Sequence, residues 1–135
     1  IDLLVNDFTH RAFRDSSVVL FESHFKRNYI HVRDVTNVFI HALENHSNMK
    51  GEIYNVGLSD ANLSKKELCE AIQKYIPNFV IMEADVGKDP DQRNYIVSNE
   101  KIESTGFKPS HSLDMGIQEL IKGYTMIRNS KYGNV

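Results

Sequence analysis

One cysteine, Cys69, is present, so no disulfide can form within these 135 residues and a reducing compartment, the cytoplasm, is the expected setting. No apolar run approaches the roughly 20 residues that a membrane-spanning helix needs. Positive charge is not in excess: the formal net charge is -2, without the concentrated cationic field of a general nucleic-acid binder. The chain has no G-x-G-x-x-G or G-x-x-x-x-G-K-[ST] loop, which excludes a dinucleotide or triphosphate cradle within it. It has no G-x-S-x-G elbow and no H-E-x-x-H, and no tyrosine is followed four residues later by lysine. The six histidines match no zinc spacing, and the Asp85, Asp89, Asp91 loop lacks the glycine and terminal glutamate of a calcium hand. These absences predict no catalytic constellation, no cofactor-binding loop and no metal site within the segment.

What is present is ordinary globular material, with 41% hydrophobic and 25% charged residues and a length that suits one domain. The chain opens on Ile1 and runs straight into Asp2-Leu3-Leu4-Val5, which reads as a piece of something longer. Ile1, Leu4, Val5, Phe8 and Ala12 share one face of a helix expected over 2–14. A short buried strand is expected at Val18–Phe21, a second at Tyr29–Val32, and a helix over 35–45. Glu52 to Val56 reads as a strand ending at Gly57. Ser64-Lys65-Lys66-Glu67 is a capping box opening a helix that buries Leu68, Ala71, Ile72 and Tyr75 and stops by Pro77. Phe79–Met82 follows as a strand, and residues 85–94 as a polar loop. A short helix closes at Gly106, and Ser112 caps a last helix carrying Leu113, Ile117, Leu120, Ile121 and Tyr124. Residues 128–135 read as a frayed tail. Cys69 falls on the 65–76 helix as a packing residue. The sequons at Asn45 and Asn62 read as chance matches.

The most informative stretch is Arg27-Asn28-Tyr29-Ile30-His31-Val32-Arg33-Asp34-Val35. Val35, Val38, Phe39, Ala42 and Leu43 recur at helical spacing behind Asp34, which suits an N-cap. Arg27 then stands on rigid backbone just upstream. A guanidinium so placed matches a phosphate, although taken alone it reads rather as half of a surface ion pair worth little.

The order of motifs resembles the extended short-chain dehydrogenases, the NAD-dependent sugar-nucleotide epimerases and dehydratases. The 27–35 stretch is similar to that family's Arg-Asp-Tyr/Phe-Ile-His-Val-x-Asp-Val, and Tyr54-Asn55-Val56-Gly57 to its Tyr-Asn-Val/Leu-Gly. Ser64 to Leu68 resemble its Ser-x-x-Glu-Leu helix start. Asp91-Gln92-Arg93, Lys101-Ile102 and Gly106-Phe107-Lys108-Pro109 resemble its Asp-x-Arg … Lys … Gly-Trp/Phe-x-Pro run. The likeness covers Ile1 to about Ile127. It departs at Glu22-Ser23-His24-Phe25, where family members often carry Gly-Asp-Gly, so the loop over the pocket differs.

The resemblance implies an α/β fold: the C-terminal, substrate-binding lobe over 1–127, with the Rossmann cofactor lobe and the catalytic Tyr-x-x-x-Lys upstream. NAD or NADP would bind that missing lobe. The substrate would be a nucleoside-diphosphate sugar, with Arg27 and Arg93 on its diphosphate and Asn6 facing diphosphate or sugar. Val19 and Phe21 would meet the base, Phe21 offering an aromatic face or serving as core. Asp91 would bond a ribose hydroxyl, hold Arg93, or be a plain loop carboxylate. His31 is expected to be structural. The parent enzyme is expected to be a homodimer, the isolated segment inactive, with helix 35–45 and strand 52–56 docked on the cofactor lobe. Without that lobe the strand would present a bare edge, through which the segment could self-associate. A non-catalytic binding or regulatory protein of the same fold is the alternative.

Overall fold

The computed structural model describes residues 3–84, 87 and 92–127. Helix α1 spans Leu4–Arg14, with Phe8, Thr9 and Ala12 buried and an Asp7–Arg11 pair at i, i+4 on its outer side. Strand β1, Ser17–Phe21, pairs in parallel with β4, Val80–Ala84, in the register Ser17↔Val80 to Phe21↔Ala84. Strand β2, Lys26–Asn28, pairs antiparallel with β3, Asn62–Ser64. Helices α2 (Val32–Glu44) and α3 (His46–Met49) lie between β2 and β3 in sequence, and α4 (Lys65–Gln73) between β3 and β4. The short α5, Glu100–Glu103, and α6, Leu113–Met126, complete the described chain. This is the mixed α/β architecture expected from the sequence.

The main core is built where the apolar periodicities converge. Phe8 and Ala12 of α1, Val18 and Leu20 of β1, Leu68, Cys69 and Ile72 of α4, Phe79, and Ile117 of α6 form one cluster. The capping box at Ser64 is complete: Glu67 N–H donates to Ser64 Oγ at 3.1 Å and Ser64 N–H donates to Glu67 Oε2 at 2.7 Å. Ser112 caps α6 by accepting from Met115 N–H at 3.2 Å. Gly106, at φ +93, ends the turn after α5 in a conformation that suits glycine. A second, smaller cluster joins Val38 of α2 to Met49, Ile102 and Phe107, with Ala42, Tyr54 and Val56 against it.

Several expectations are corrected. The strand expected at Tyr29–Val32 lies earlier, at Lys26–Asn28, because β3 offers partners only there. Tyr29 instead makes two loop bonds, donating to Ala61 O and accepting from Leu58 N–H. Helix α2 begins at Val32, capped by His31, whose Nδ1 accepts from Arg33 N–H at 3.2 Å. Asp34 is no N-cap, because its buried carboxylate is taken by Ser110 and His111 from across the fold. Strand β1 is buried only at alternate residues: Val18 and Leu20 face the core, whereas Val19 and Phe21, with Val80 and Met82 of β4, are exposed on the other face. Residues 52–56 form no ladder, having no partner strand among the described residues, and Ile53 is exposed. Tyr75 lies beyond the end of α4 and is partly exposed. The tail 128–135 lies outside the described residues.

Candidate functional site

A cleft of about 840 Å³ opens between α1, the β2–α2 connection, the 93–95 segment and α6. Arg27 reaches it from β2, Asn6 from α1, and Arg93 and Tyr95 from the segment before α5. Arg27 is buried, a position a cation tolerates only when its donors are used. Its Nη1 donates to Lys26 O at 2.8 Å, and its Cζ lies 5.3 Å from the centre of the Tyr95 ring. The guanidinium is thus fixed by a carbonyl and an aromatic face. Arg93 enters from a separate segment, so it and Arg27 border one cleft, together with Arg33 on the opposite wall.

The far wall is a charged cluster on the α2 N-terminus and α6. Arg33 Nη1 donates to Glu119 Oε1 at 2.8 Å, and His31 Nε2 lies 3.3 Å from Glu119 Oε2. Burial raises the Glu119 carboxyl, but bonds from Arg33 and His31 outweigh it and hold the group ionised more readily than usual. The His31 ring stacks on His111, with centroids 4.6 Å apart. His111 Nδ1 contacts Asp34 Oδ1 at 3.0 Å, and Ser110 N–H, Ser110 Oγ–H and His111 N–H also donate to that carboxylate. Burial alone would raise the Asp34 carboxyl. The bonds from His111 and Ser110 prevail and lower it well below the ordinary range. His31 is therefore structural, as read, although it also lines the cleft.

The structure brings together three of the six residues assigned to substrate: Asn6, Arg27 and Arg93. Val19 and Phe21 sit on the outer face of β1, outside this cleft, where Gly87 at φ +124 lies so close that a Cβ would come within 2.6 Å of the Phe21 ring. Asp91 lies outside the described residues. Sequence reasoning missed Tyr95 and Glu119. Tyr95 was discoverable as an aromatic two residues beyond Arg93, whereas Glu119 on an exposed helical face carried no signal.

Residues that would bear other chemistry are occupied. Cys69 is buried and its thiol pushed up to about 12 by burial, with Glu70 and Asp7 adding to it, so it is a packing residue. Burial likewise raises the Tyr29 phenol against the pull of Arg27. No group of three metal-ligating side chains occurs among the described residues. No helix among them is long and apolar enough to cross a membrane.

Residues 1–57 match the model of the NAD dependent epimerase/dehydratase family. The described chain superimposes on RMD from Pseudomonas aeruginosa, solved with NADPH, with a TM-score of 0.73 at 18% identity, over 92% of this chain and 43% of that one. Its fold is that of the epimerase/dehydratase family. ADP-L-glycero-D-manno-heptose-6-epimerase of Helicobacter pylori matches with a TM-score of 0.72 at 23% identity, over 92% of this chain and 38% of that one. L-threonine dehydrogenase of Clostridium difficile matches at 0.71 and 19%, over 89% and 39%. The chain therefore spans about four tenths of the length of these three structures. For the fold, the resemblance read from its motifs holds.

The family's nicotinamide cofactor does not fit the residues described. A dinucleotide needs free backbone N–H groups where a glycine-rich strand–helix turn opens. Strand β3 runs directly into α4, but the Ser64–Glu67 box occupies that helix end. His31 occupies the start of α2.

Proposed function

We propose that this chain forms the substrate-holding part of an NAD(P)-dependent sugar-nucleotide epimerase or dehydratase. The observation that carries this reading is the pairing of a buried, braced Arg27 with Arg93 across one cleft. A diphosphate carries two adjacent negative groups, and two planar guanidiniums from separate segments neutralise and orient them. The fold alone does not select this substrate, since a protein named for L-threonine shares it. The two arginines on one cleft support it.

On this reading Asn6 meets the diphosphate or the sugar. Val19 and Phe21 form an outlying aromatic and aliphatic surface for the base, and Asp91 serves the ribose or Arg93. The chain binds and orients the nucleoside-diphosphate sugar. NAD or NADP, held by residues outside these 135, supplies the hydride chemistry. The isolated chain is then inactive. The exposed side of α2, with Phe39 and Leu43, docks against that cofactor-binding part, and the whole enzyme is a cytoplasmic homodimer. The other reading is a binding or regulatory protein without chemistry, which an upstream part lacking the Tyr-x-x-x-Lys pair would favour.

The test is titration of the 135-residue chain with inorganic pyrophosphate and with UDP-glucose, followed by NMR. Both should shift resonances of the cleft, and Arg27→Ala should weaken both by about tenfold or more. If neither ligand perturbs the cleft, the reading fails.

A further inference from the structure

Arg93 and Tyr95 belong to a stretch without regular secondary structure, yet they must meet Arg27 on β2. What registers this stretch is a pair of asparagine side chains. Asn62 Nδ2 donates to Val97 O at 3.0 Å, and Val97 N–H donates to Asn62 Oδ1 at 2.9 Å. The carboxamide thus engages both backbone groups of one residue, as a peptide unit in a strand ladder would. Asn94 does the converse from within the stretch, its Oδ1 accepting from Lys26 N–H at 2.9 Å. A single backbone bond, Tyr95 N–H to Lys26 O at 3.3 Å, lies between these clamps. The same neighbourhood holds the Tyr95 ring over Arg27.

Asparagine is a poor strand former, so its place in a three-residue strand calls for a reason. Its backbone pairs with Asn28, while its side chain reaches Val97. Asn62 touches neither arginine in these bonds. It acts through the backbone on which Arg93 and Tyr95 are carried.

We propose that Asn62, assisted by Asn94, is a positioning residue of the anion cleft: its carboxamide sets the register that brings Tyr95 onto Arg27 and Arg93 to the cleft. This rests on the reading of the cleft as a diphosphate site.

The test uses the 135-residue chain with Asn62→Ala, which removes both bonds to Val97, and Asn94→Ala, which removes the acceptor for Lys26. The first readout is the ring-current shift that Tyr95 imposes on the Arg27 side-chain resonances, with Tyr95→Leu defining the value without a ring. The second is the Kd for inorganic pyrophosphate. Asn62→Ala should move the Arg27 resonances most of the way to the Tyr95→Leu values and weaken pyrophosphate about tenfold. A loss of thermal stability alone moves neither reading. Arg27 resonances that stay at wild-type values in folded Asn62→Ala overturn the proposal, as does an unchanged pyrophosphate Kd once they have moved. If Asn62→Ala does not fold, Asn94→Ala decides on the same two readings. If pyrophosphate does not bind the wild-type chain, the diphosphate reading fails, while the Arg27 resonances still decide whether Asn62 sets the register.

Discussion

Leu68 on α4 and Phe39 on α2 are both helical apolar residues with a second apolar residue, Ile72 and Leu43, four positions on. Leu68 is fully buried, whereas Phe39 is 68% exposed. The first pair belongs to the main core, covered by α1, β1 and α6. The second lies on the outer side of a helix whose inner residue, Val38, already fills the small cluster with Met49, Ile102 and Phe107. Helical periodicity states that a face is apolar, and only the surrounding elements state whether it is covered. One half of the molecule is a closed core, and the other is a helix with one side closed and one side bare.

The contrast can be broken most forcefully in the closed half. Leu68→Ala or Ile72→Ala should each cost about 2–5 kcal/mol of unfolding free energy, read by urea denaturation, through lost burial and the cavity left behind. An effect below about 1 kcal/mol would show that the main core is not tightly packed.

The link between the halves comes next. Asp34 ties α2 to the Ser110–His111 turn through buried bonds, so Asp34→Ala should cost about 2 kcal/mol or more by stranding those donors. The same carboxylate sets a pH dependence. Its folded value lies below the unfolded value of about 3.9, so its contribution is fully present above that pH. It is lost as pH falls further toward the folded value. Between pH 6 and pH 3 wild-type stability should therefore fall more steeply than that of Asp34→Asn, by thermal melts. Parallel curves would remove Asp34 from the account.

The smallest effect belongs to the bare side. Phe39→Ser with Leu43→Ser should change stability by no more than about 0.5 kcal/mol, while reducing concentration-dependent association in light scattering. A large destabilisation would mean that this face is covered after all.

Much of this was legible in the sequence. The caps at Ser64 and Ser112, the core faces of α1, α4 and α6, and the turn at Gly106 are local devices, and each stands where its residues put it. The start of α2 was not legible: Asp34 suits a cap, but Ser110 and His111, far along the chain, take its carboxylate and His31 caps the helix instead. Nor was the fate of 52–56, since a strand needs a partner as well as a pattern. In the cleft, Arg27 and Arg93 were found through the motifs, whereas Tyr95 and Asn62 act through tertiary geometry that no motif encodes.

The parallel pairing of β1 with β4, and the bond from Tyr124 Oη to Asn6 O across 118 positions, carry a consequence for how the chain reaches this state. Both contacts close long loops, so chain entropy must be lost before either returns any burial. α4 can cap itself early, but the core that α1 and α6 share is assembled from opposite ends of the chain. Such non-local contacts make folding slower than that of a local helical bundle. It also means that a chain lacking α6 offers α1 only part of its seat, the part made by β1 and α4. Of these helices the first to be synthesised is among the last to be locked.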